Sequence, residues 1–162
     1  MELKFRKATT EDVKLISQLA ESIWKRHYIN IITMEQIDYM LNMMYSPVSL
    51  TDQMNEGHEF TLVYDGTKAI GYISLNTNDG KNYFLHKFYI EVDNQGKGIG
   101  SELFSHVLEQ MPNAESIELF VNRENFKTVN FYFKHGFVIK NSINQNIGNG
   151  FYMNDFVMIK MI

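Results

Sequence analysis

The 162-residue chain contains no cysteine, and its only prolines are Pro47 and Pro112. The absence of cysteine excludes disulfides, thiolate metal sites and a cysteine nucleophile. No apolar run approaches the roughly 18 residues that a membrane-spanning helix needs, and the first residues lack the apolar core of a signal peptide. We therefore expect a cytoplasmic protein with no membrane partner.

An excess of positive charge is also missing. The chain has 15 Lys and Arg against 19 Asp and Glu, which gives a formal net charge of −4. Proteins that bind nucleic acid usually carry a basic surface, so nucleic acid is not an expected partner. The length suits one domain, and no linker or internal repeat interrupts residues 1–162.

The hydrophobic periodicity predicts the element order β-α-α-β-β-β-α-β-α-β-β. Thr33 with Gln36 is a capping-box pattern, a short helix is expected over 49–56, and Asp65-Gly66 is a hairpin signal. Only the crossing from "NYFLHKFYIEV" over a helix to "ESIELFV" predicts a parallel pair. We expect an α/β (α+β) fold with a mixed, mostly antiparallel sheet and helices on both faces. The long last strand, "FYMNDFVMIKMI", is expected to offer a sheet edge for a homodimer.

The stretch "QGKGIG", residues 95–100, follows a strand and opens a helix. A helix N-terminus presents unpaired N–H groups, and glycines leave them uncovered, so the stretch suits a phosphate group. It does not match a Walker loop, and Ser101 stands where the dinucleotide motif needs its last glycine. On spacing alone, a phosphate loop and a tight helix–strand turn both remain open.

A second pattern lies in "NRENFKTVNFYFKHGF". Asn125, Thr128 and Tyr132 share one stripe of the predicted helix. Phe126 and Phe133, with Val129, share another stripe, which we expect to face the core. Tyr132 is then expected to point away from the core, although most tyrosines at such positions are core residues whose hydroxyl is satisfied at the rim.

Together the two patterns resemble the GNAT superfamily of acyl-CoA-dependent N-acetyltransferases. The string Q-x-x-G-x-G is present as Gln95, Gly98 and Gly100. The second signature, N-x-x-[small]-x-x-F-Y-x-x-x-G-F, runs from Asn125 to Phe137, with Thr128 where alanine is usual. The element order agrees over essentially the whole chain, while the specific motifs lie in residues 85–137.

The resemblance implies how acetyl-CoA would be held as a co-substrate, without a metal. The strand before the loop would splay from the next one, and its backbone would bind the pantetheine and stabilise the oxyanion. Asn125 would contact the pantetheine arm, and Lys134 is a candidate for a CoA phosphate. The residues whose backbone is implied are Phe88, Tyr89 and Ile90 on the strand, and Gln95, Gly96, Lys97, Gly98, Ile99 and Gly100 in the loop.

The resemblance also implies the chemistry. Tyr132 would be the general acid, since a phenol with pKa ~10 can protonate a thiolate whose acid has pKa ~8.5. Direct transfer in a ternary complex is expected, because the chain has no cysteine to carry the acetyl group. The acceptor is a primary amine, and keeping it neutral at pH 7 costs roughly 4.6 kcal/mol. His86 and Glu91 are the candidate bases.

Acceptor specificity is expected in residues 24–57, where Trp24, His27 and Tyr28 are the candidate contacts. Aromatic and acidic side chains are mixed in this segment, which suits a polyamine or a peptide amine. Two other functions stay open at this point. One is a catalytically silent acyl-CoA-binding or sensor domain, and the other is a nucleotide-phosphate binder that uses the same loop.

Overall fold

A computed structural model describes all residues 1–162. The strands are β1 Leu3–Lys7, β2 Glu59–Asp65, β3 Lys68–Thr77, β4 Asn82–Ile90, β5 Ser116–Asn122, β6 Val138–Gly148 and β7 Phe151–Met161. The helices are α1 Val13–His27, α2 Met34–Tyr45, α3 Pro47–Asn55, α4 Ile99–Glu109 and α5 Phe126–Lys134. None of these helices is both long and apolar enough to cross a membrane.

The chain divides into two compact units. The first consists of residues 1–76 and 87–112, and the second of residues 77–86 and 113–162. Strand β4 contributes to both units. Residues 82–86 belong to the second unit, and residues 87–90 belong to the first unit. The strands are hydrogen-bonded in the order β1-β2-β3-β4 and β4-β5-β7-β6.

In the first unit, short-range signals set the strands and helices. The hairpin predicted at Asp65-Gly66 is confirmed, with Gly66 at φ 59° and β2 antiparallel to β3. Thr33 caps α2 by accepting from the Gln36 N–H, which is the Thr33 half of the predicted capping box. Helix α3 begins two residues earlier than expected, because the Ser46 side chain caps it and a proline occupies its first turn.

Helices cover both faces of the strands in the first unit. On one face, the ring of Tyr45 from α2 lies 5.8 Å from that of Tyr72 on β3. On the other face, Phe5 of β1 stacks at 4.7 Å on His106 of α4. These contacts, between largely apolar faces, bury the core of this unit.

The second unit contains the predicted parallel pair. The β4–β5 ladder runs from Asn82–Ser116 to Leu85–Leu119, and β5 continues to Asn122 along antiparallel β7. Strand β6 pairs antiparallel with the other side of β7. The expected fold class, a mixed and mostly antiparallel α/β arrangement, is therefore confirmed.

The edge strand of the second unit is β6 and not the last strand. The expectation that "FYMNDFVMIKMI" offers a free edge is wrong, because β7 pairs with β5 on one side and β6 on the other. The register of β6 shifts twice, between Ile139 and Asn141 and between Asn146 and Gly148. Such bulges twist an edge strand and hinder further pairing.

The predicted core stripe of α5 is also wrong. Phe126 is 71% exposed and Phe133 is 46% exposed, whereas Asn125 and Tyr132 are buried together with Val129. The buried positions follow the helical spacing i, i+4, i+7, so the helix is rotated relative to the expectation. Tyr132 consequently faces inward, and its ring lies 5.2 Å from that of Phe137.

Candidate active site

The glycine-rich stretch forms a bare helix entrance. Gly96 and Gly98 have φ of 76° and 82°, a left-handed conformation that other residues rarely adopt, and Gly98 is the N-cap of α4. A Cβ atom added at either glycine would meet no protein atom within 4 Å. The first N–H groups of an α-helix have no acceptor within the helix. The entrance therefore fits an anion such as a pyrophosphate, which accepts from those amides.

Side chains hold the turn that leads into this entrance. Gln95 donates its Nε2 to the carbonyl of Ile90 at 3.0 Å. Arg26 of α1 makes a bidentate pair with Asp93, at 2.8 and 2.9 Å. The hydrogen bonds from this guanidinium lower the pKa of Asp93. Hydrogen bonds within the chain thus hold Asp93 and Gln95, the two neighbours of Asn94.

The two candidate bases have different surroundings. Glu91 accepts from Lys68 Nζ at 2.8 Å and from Asn94 Nδ2 at 3.2 Å through the same oxygen, Oε2. His86 is exposed, and its ring lies 4.7 Å from that of Phe84. Glu91 is therefore engaged in holding the glycine-rich stretch, while His86 lies on a surface-facing part of β4.

The end of β4 packs closely in the first unit. Phe88 lies 6.2 Å from the ring of Phe104 on α4, and Ile90 is buried. An ideal Cβ on Gly71 of β3 would lie 2.6 Å from both the Tyr89 carbonyl oxygen and Ile90 Cδ1. Gly71 thus permits the close approach of β3 to the backbone for which a pantetheine contact was predicted.

An aromatic cluster lies on the other face of β4. It is composed of the buried Trp24, Tyr28, Tyr45 and Tyr72 and the half-buried Tyr89. Trp24 contacts three of the rings at 4.5 to 5.6 Å. The hydroxyls form two pairs, Tyr28 with Tyr89 at 2.9 Å and Tyr72 donating to Tyr45 at 3.0 Å. Burial raises the pKa of Tyr45 and Tyr72 well above 10.

This aromatic cluster contains two of the three predicted acceptor contacts. Trp24 and Tyr28 are 3% and 7% exposed, so both are mainly packing residues in this structure. His27 is half-buried at the rim, with its ring 4.8 Å from that of Tyr28. The structure therefore brings the three together but leaves His27 the most accessible.

Lys87 is a buried cation that the sequence analysis did not identify. Its ammonium is 5.1 Å from the centre of the Tyr45 ring and donates to Gln53 Oε1 at 2.8 Å. Gln53 in turn donates to the Met44 carbonyl and to Ser49 Oγ, so its amide is fixed. Desolvation lowers the pKa of Lys87 to about 8. The signal was a lysine beside His86, flanked by Leu85 and Phe88 in a predicted strand.

In the second unit, the predicted residues of α5 lie close to one another along the helix. Asn125 is 4% exposed, its N–H donates to the Asn122 carbonyl, and its own carbonyl accepts from Val129. Tyr132 lies two turns further along α5 and is 5% exposed. Lys134, the candidate phosphate contact, is exposed at the end of the helix.

Asp155 of β7 is a second buried ionisable residue that the sequence analysis missed. It is 2% exposed, and its Oδ2 atom has no hydrogen-bond partner. Desolvation raises the pKa of Asp155 to about 6, against a weaker opposing attraction from Arg123. No group of three or more His, Asp or Glu side chains is gathered where it would bind a metal ion.

The sequence matches known acetyltransferases. Residues 29–161 match the sequence profile described as Acetyltransferase (GNAT) domain. A curated relative, spermidine N(1)-acetyltransferase from Thermoplasma acidophilum, is 26% identical over 149 residues, which cover 88% of this chain and 92% of that protein.

Solved structures agree with the sequence match. The PaiA N-acetyltransferase from Thermoplasma acidophilum in complex with coenzyme A superposes with a TM-score of 0.85 at 25% identity, over the full length of both chains. A GCN5-related N-acetyltransferase from Rhodopseudomonas palustris has a TM-score of 0.82 at 15% identity, over 100% of this chain and 97% of that one, which is a likeness of fold. The profile match spans most of the chain and the fold agrees throughout, so the chain belongs to the GNAT family and is an acetyltransferase.

Proposed function

We propose that this single N-acetyltransferase domain transfers the acetyl group of acetyl-CoA to a primary amine of a small molecule, by direct transfer in a ternary complex. The left-handed glycines at the N-terminus of α4 are the observation that carries the proposal. A relative that acetylates spermidine and a similar structure that contains coenzyme A support the donor and the class of acceptor. A polyamine is accordingly the first acceptor to test, with a peptide amine as the alternative.

The backbone of the protein would hold the acetyl donor, acetyl-CoA. The amides from Gln95 to Gly100, including those of Gly96, Lys97 and Ile99, would bind the pyrophosphate, with added attraction from the exposed Lys97 ammonium. The backbone of Phe88–Ile90 would bind the pantetheine. As the second signature implies, Asn125 would be a pantetheine contact and Lys134 a phosphate contact. Preorganised amides are effective here because they need no reorientation as charge develops.

Tyr132 would donate the proton that the departing thiolate needs. Its burial beside Phe137 excludes bulk water from the ring, which favours a defined hydroxyl position. A positioned general acid contributes roughly 100- to 10,000-fold in rate. His86 or Glu91 would accept the proton of the amine, directly or through water, and the engagement of Glu91 by Lys68 favours His86.

The acid role is tested with Tyr132→Phe. We expect kcat to fall by at least about 100-fold while the Kd for CoA changes less than about threefold, because the hydroxyl acts only on the departing sulfur. Tyr152→Phe is the matched control, since Tyr152 is 52% exposed on β7. An unchanged kcat in Tyr132→Phe would remove Tyr132 from the chemistry.

The acceptor class is tested with acetyl-CoA and a panel of spermidine, simple monoamines and lysine-containing peptides. Release of the CoA thiol and the mass of the product are measured together. Faster acetylation of peptides than of any small amine would overturn the small-molecule assignment. The proposal further includes a cytoplasmic location and a homodimer, and sedimentation at micromolar concentration tests the dimer.

A further inference from the structure

Asp155 is a carboxylate in the interior of the sheet that the fold does not satisfy. It lies on the central strand of the second unit, opposite Asn122 of β5 and Ile143 of β6. It is 98% buried, and Oδ2 has no donor within hydrogen-bond distance. A buried carboxylate without a donor is costly, and native proteins rarely retain one that has no role.

The nearest opposite charge does not neutralise Asp155. Arg123 is the one charged group that acts on it, and its guanidinium donates to Asn144 Oδ1 at 2.7 Å. Asn122 uses its side-chain oxygen to accept from the Glu124 N–H. Because desolvation outweighs the attraction of Arg123, the pKa of Asp155 is raised, yet at about 6 it leaves the group largely ionised at neutral pH. Asp155 Oδ2 therefore has no cationic N–H donor bonded to it.

The position of Asp155 connects it to the proposed chemistry. Its ladder partner Asn122 is the last residue of β5, and the Asn122 carbonyl accepts from the N–H of Asn125. Asn125 begins the helix that carries Tyr132. Asp155 is thus linked through Asn122 and Asn125 to the start of the helix that carries the proposed acid.

We propose that Asp155 Oδ2 binds a second ammonium group of the acceptor, so that the enzyme selects a diamine or polyamine over a monoamine. This inference rests on the proposed function. The ammonium supplies both the charge and the hydrogen-bond donor that Oδ2 lacks. A monoamine has only the nitrogen that becomes acetylated, and it leaves Oδ2 unpaired. Asp155 is a specificity residue in this scheme, and the acetyl transfer itself does not use it.

The test compares Asp155→Asn with the wild type on spermidine and on butylamine. We expect the KM for spermidine to rise about 10- to 100-fold, as for loss of a charged hydrogen bond, with kcat and the KM for butylamine nearly unchanged. Asp155→Glu should recover part of the spermidine affinity. Equal KM changes for both amines, or none for either, would overturn the assignment.

A binding measurement without acetyl-CoA separates this inference from the proposed function. Spermidine should raise the melting temperature of the wild type and not that of Asp155→Asn, since only a ligand of the native state stabilises it. Glu118→Gln is the matched control, because Glu118 is a partly exposed acid of β5 that pairs with Lys140. If no amine is acetylated but spermidine still stabilises the wild type alone, the proposed function fails and the Asp155 site stands. If spermidine is acetylated and stabilises both proteins equally, the Asp155 site is refuted.

Discussion

Replacing Lys87 by methionine tests whether the structure buries a cation beneath the α2–α3 helices. The change keeps an unbranched side chain, one heavy atom shorter, and removes the titrating ammonium together with its hydrogen bond to Gln53. In the folded protein, desolvation lowers the pKa of Lys87 from 10.5 to about 8. The unfolded chain therefore binds more protons than the folded protein between these values, and the folded state gains stability as the pH rises through this window.

The magnitude follows from the two pKa values. The lowered pKa of Lys87 destabilises the folded state by the equivalent of about 2.4 pKa units at pH 7.5 and about 1.0 unit at pH 9.5. Each unit corresponds to about 1.36 kcal/mol of unfolding free energy. The free energy of unfolding of the wild type should thus rise by about 1.8 kcal/mol relative to Lys87→Met over this range. Ionisation of unfolded tyrosines near pH 9.5 acts on the wild type and on Lys87→Met alike, so it cancels in this difference.

Urea unfolding at the two pH values, for wild type and variant, measures this difference. Lys4→Met is the matched control, because the Lys4 side chain is 61% exposed and makes only a surface ion pair. The loss of the Lys87–Gln53 hydrogen bond affects both pH values and largely cancels. A stability difference that stays constant with pH would show that water reaches the ammonium, and it would refute the packing described around Tyr45.

Two further predictions concern the packing of the first unit. Gly71→Ala should destabilise the protein by about 1–3 kcal/mol in urea unfolding, since its Cβ would overlap the Tyr89 carbonyl oxygen and Ile90 Cδ1. An unchanged free energy of unfolding would contradict the close approach. Tyr72→Phe should lower the free energy of unfolding by about 1–2 kcal/mol, because the Tyr45 hydroxyl loses its donor. The double variant with Tyr45→Phe should lose less than the sum of the two single changes. Strict additivity would argue against the hydroxyl pair.

Local signals in the sequence predicted much of the fold. The Asp65-Gly66 hairpin and the Thr33 cap are confirmed because turn and capping chemistry involve only neighbouring residues. The glycines of the α4 entrance were predicted to leave its amides bare, and the positive φ angles of Gly96 and Gly98 agree. Their role in binding stays a prediction.

Long-range packing was not predictable in the same way. On α5, two stripes at helical spacing were available, and the aromatic character of Phe126 and Phe133 favoured the wrong one. Helical periodicity gives the candidate faces, but the neighbouring strands decide which face is buried. Lys87 and Asp155 were missed for the related reason that burial on an interior strand depends on the elements packed above it.

The side-chain bonds beneath the α4 entrance have a consequence for the rate of ligand capture. Hydrogen bonds within the chain join Gln95 to the Ile90 carbonyl and Arg26 to Asp93. The entropy of arranging the bare amides has therefore been lost during folding, before any anion arrives. A diphosphate that binds there, as proposed, would meet amides that are already in place, so its capture would depend on diffusion and charge and not on a slow rearrangement of the protein.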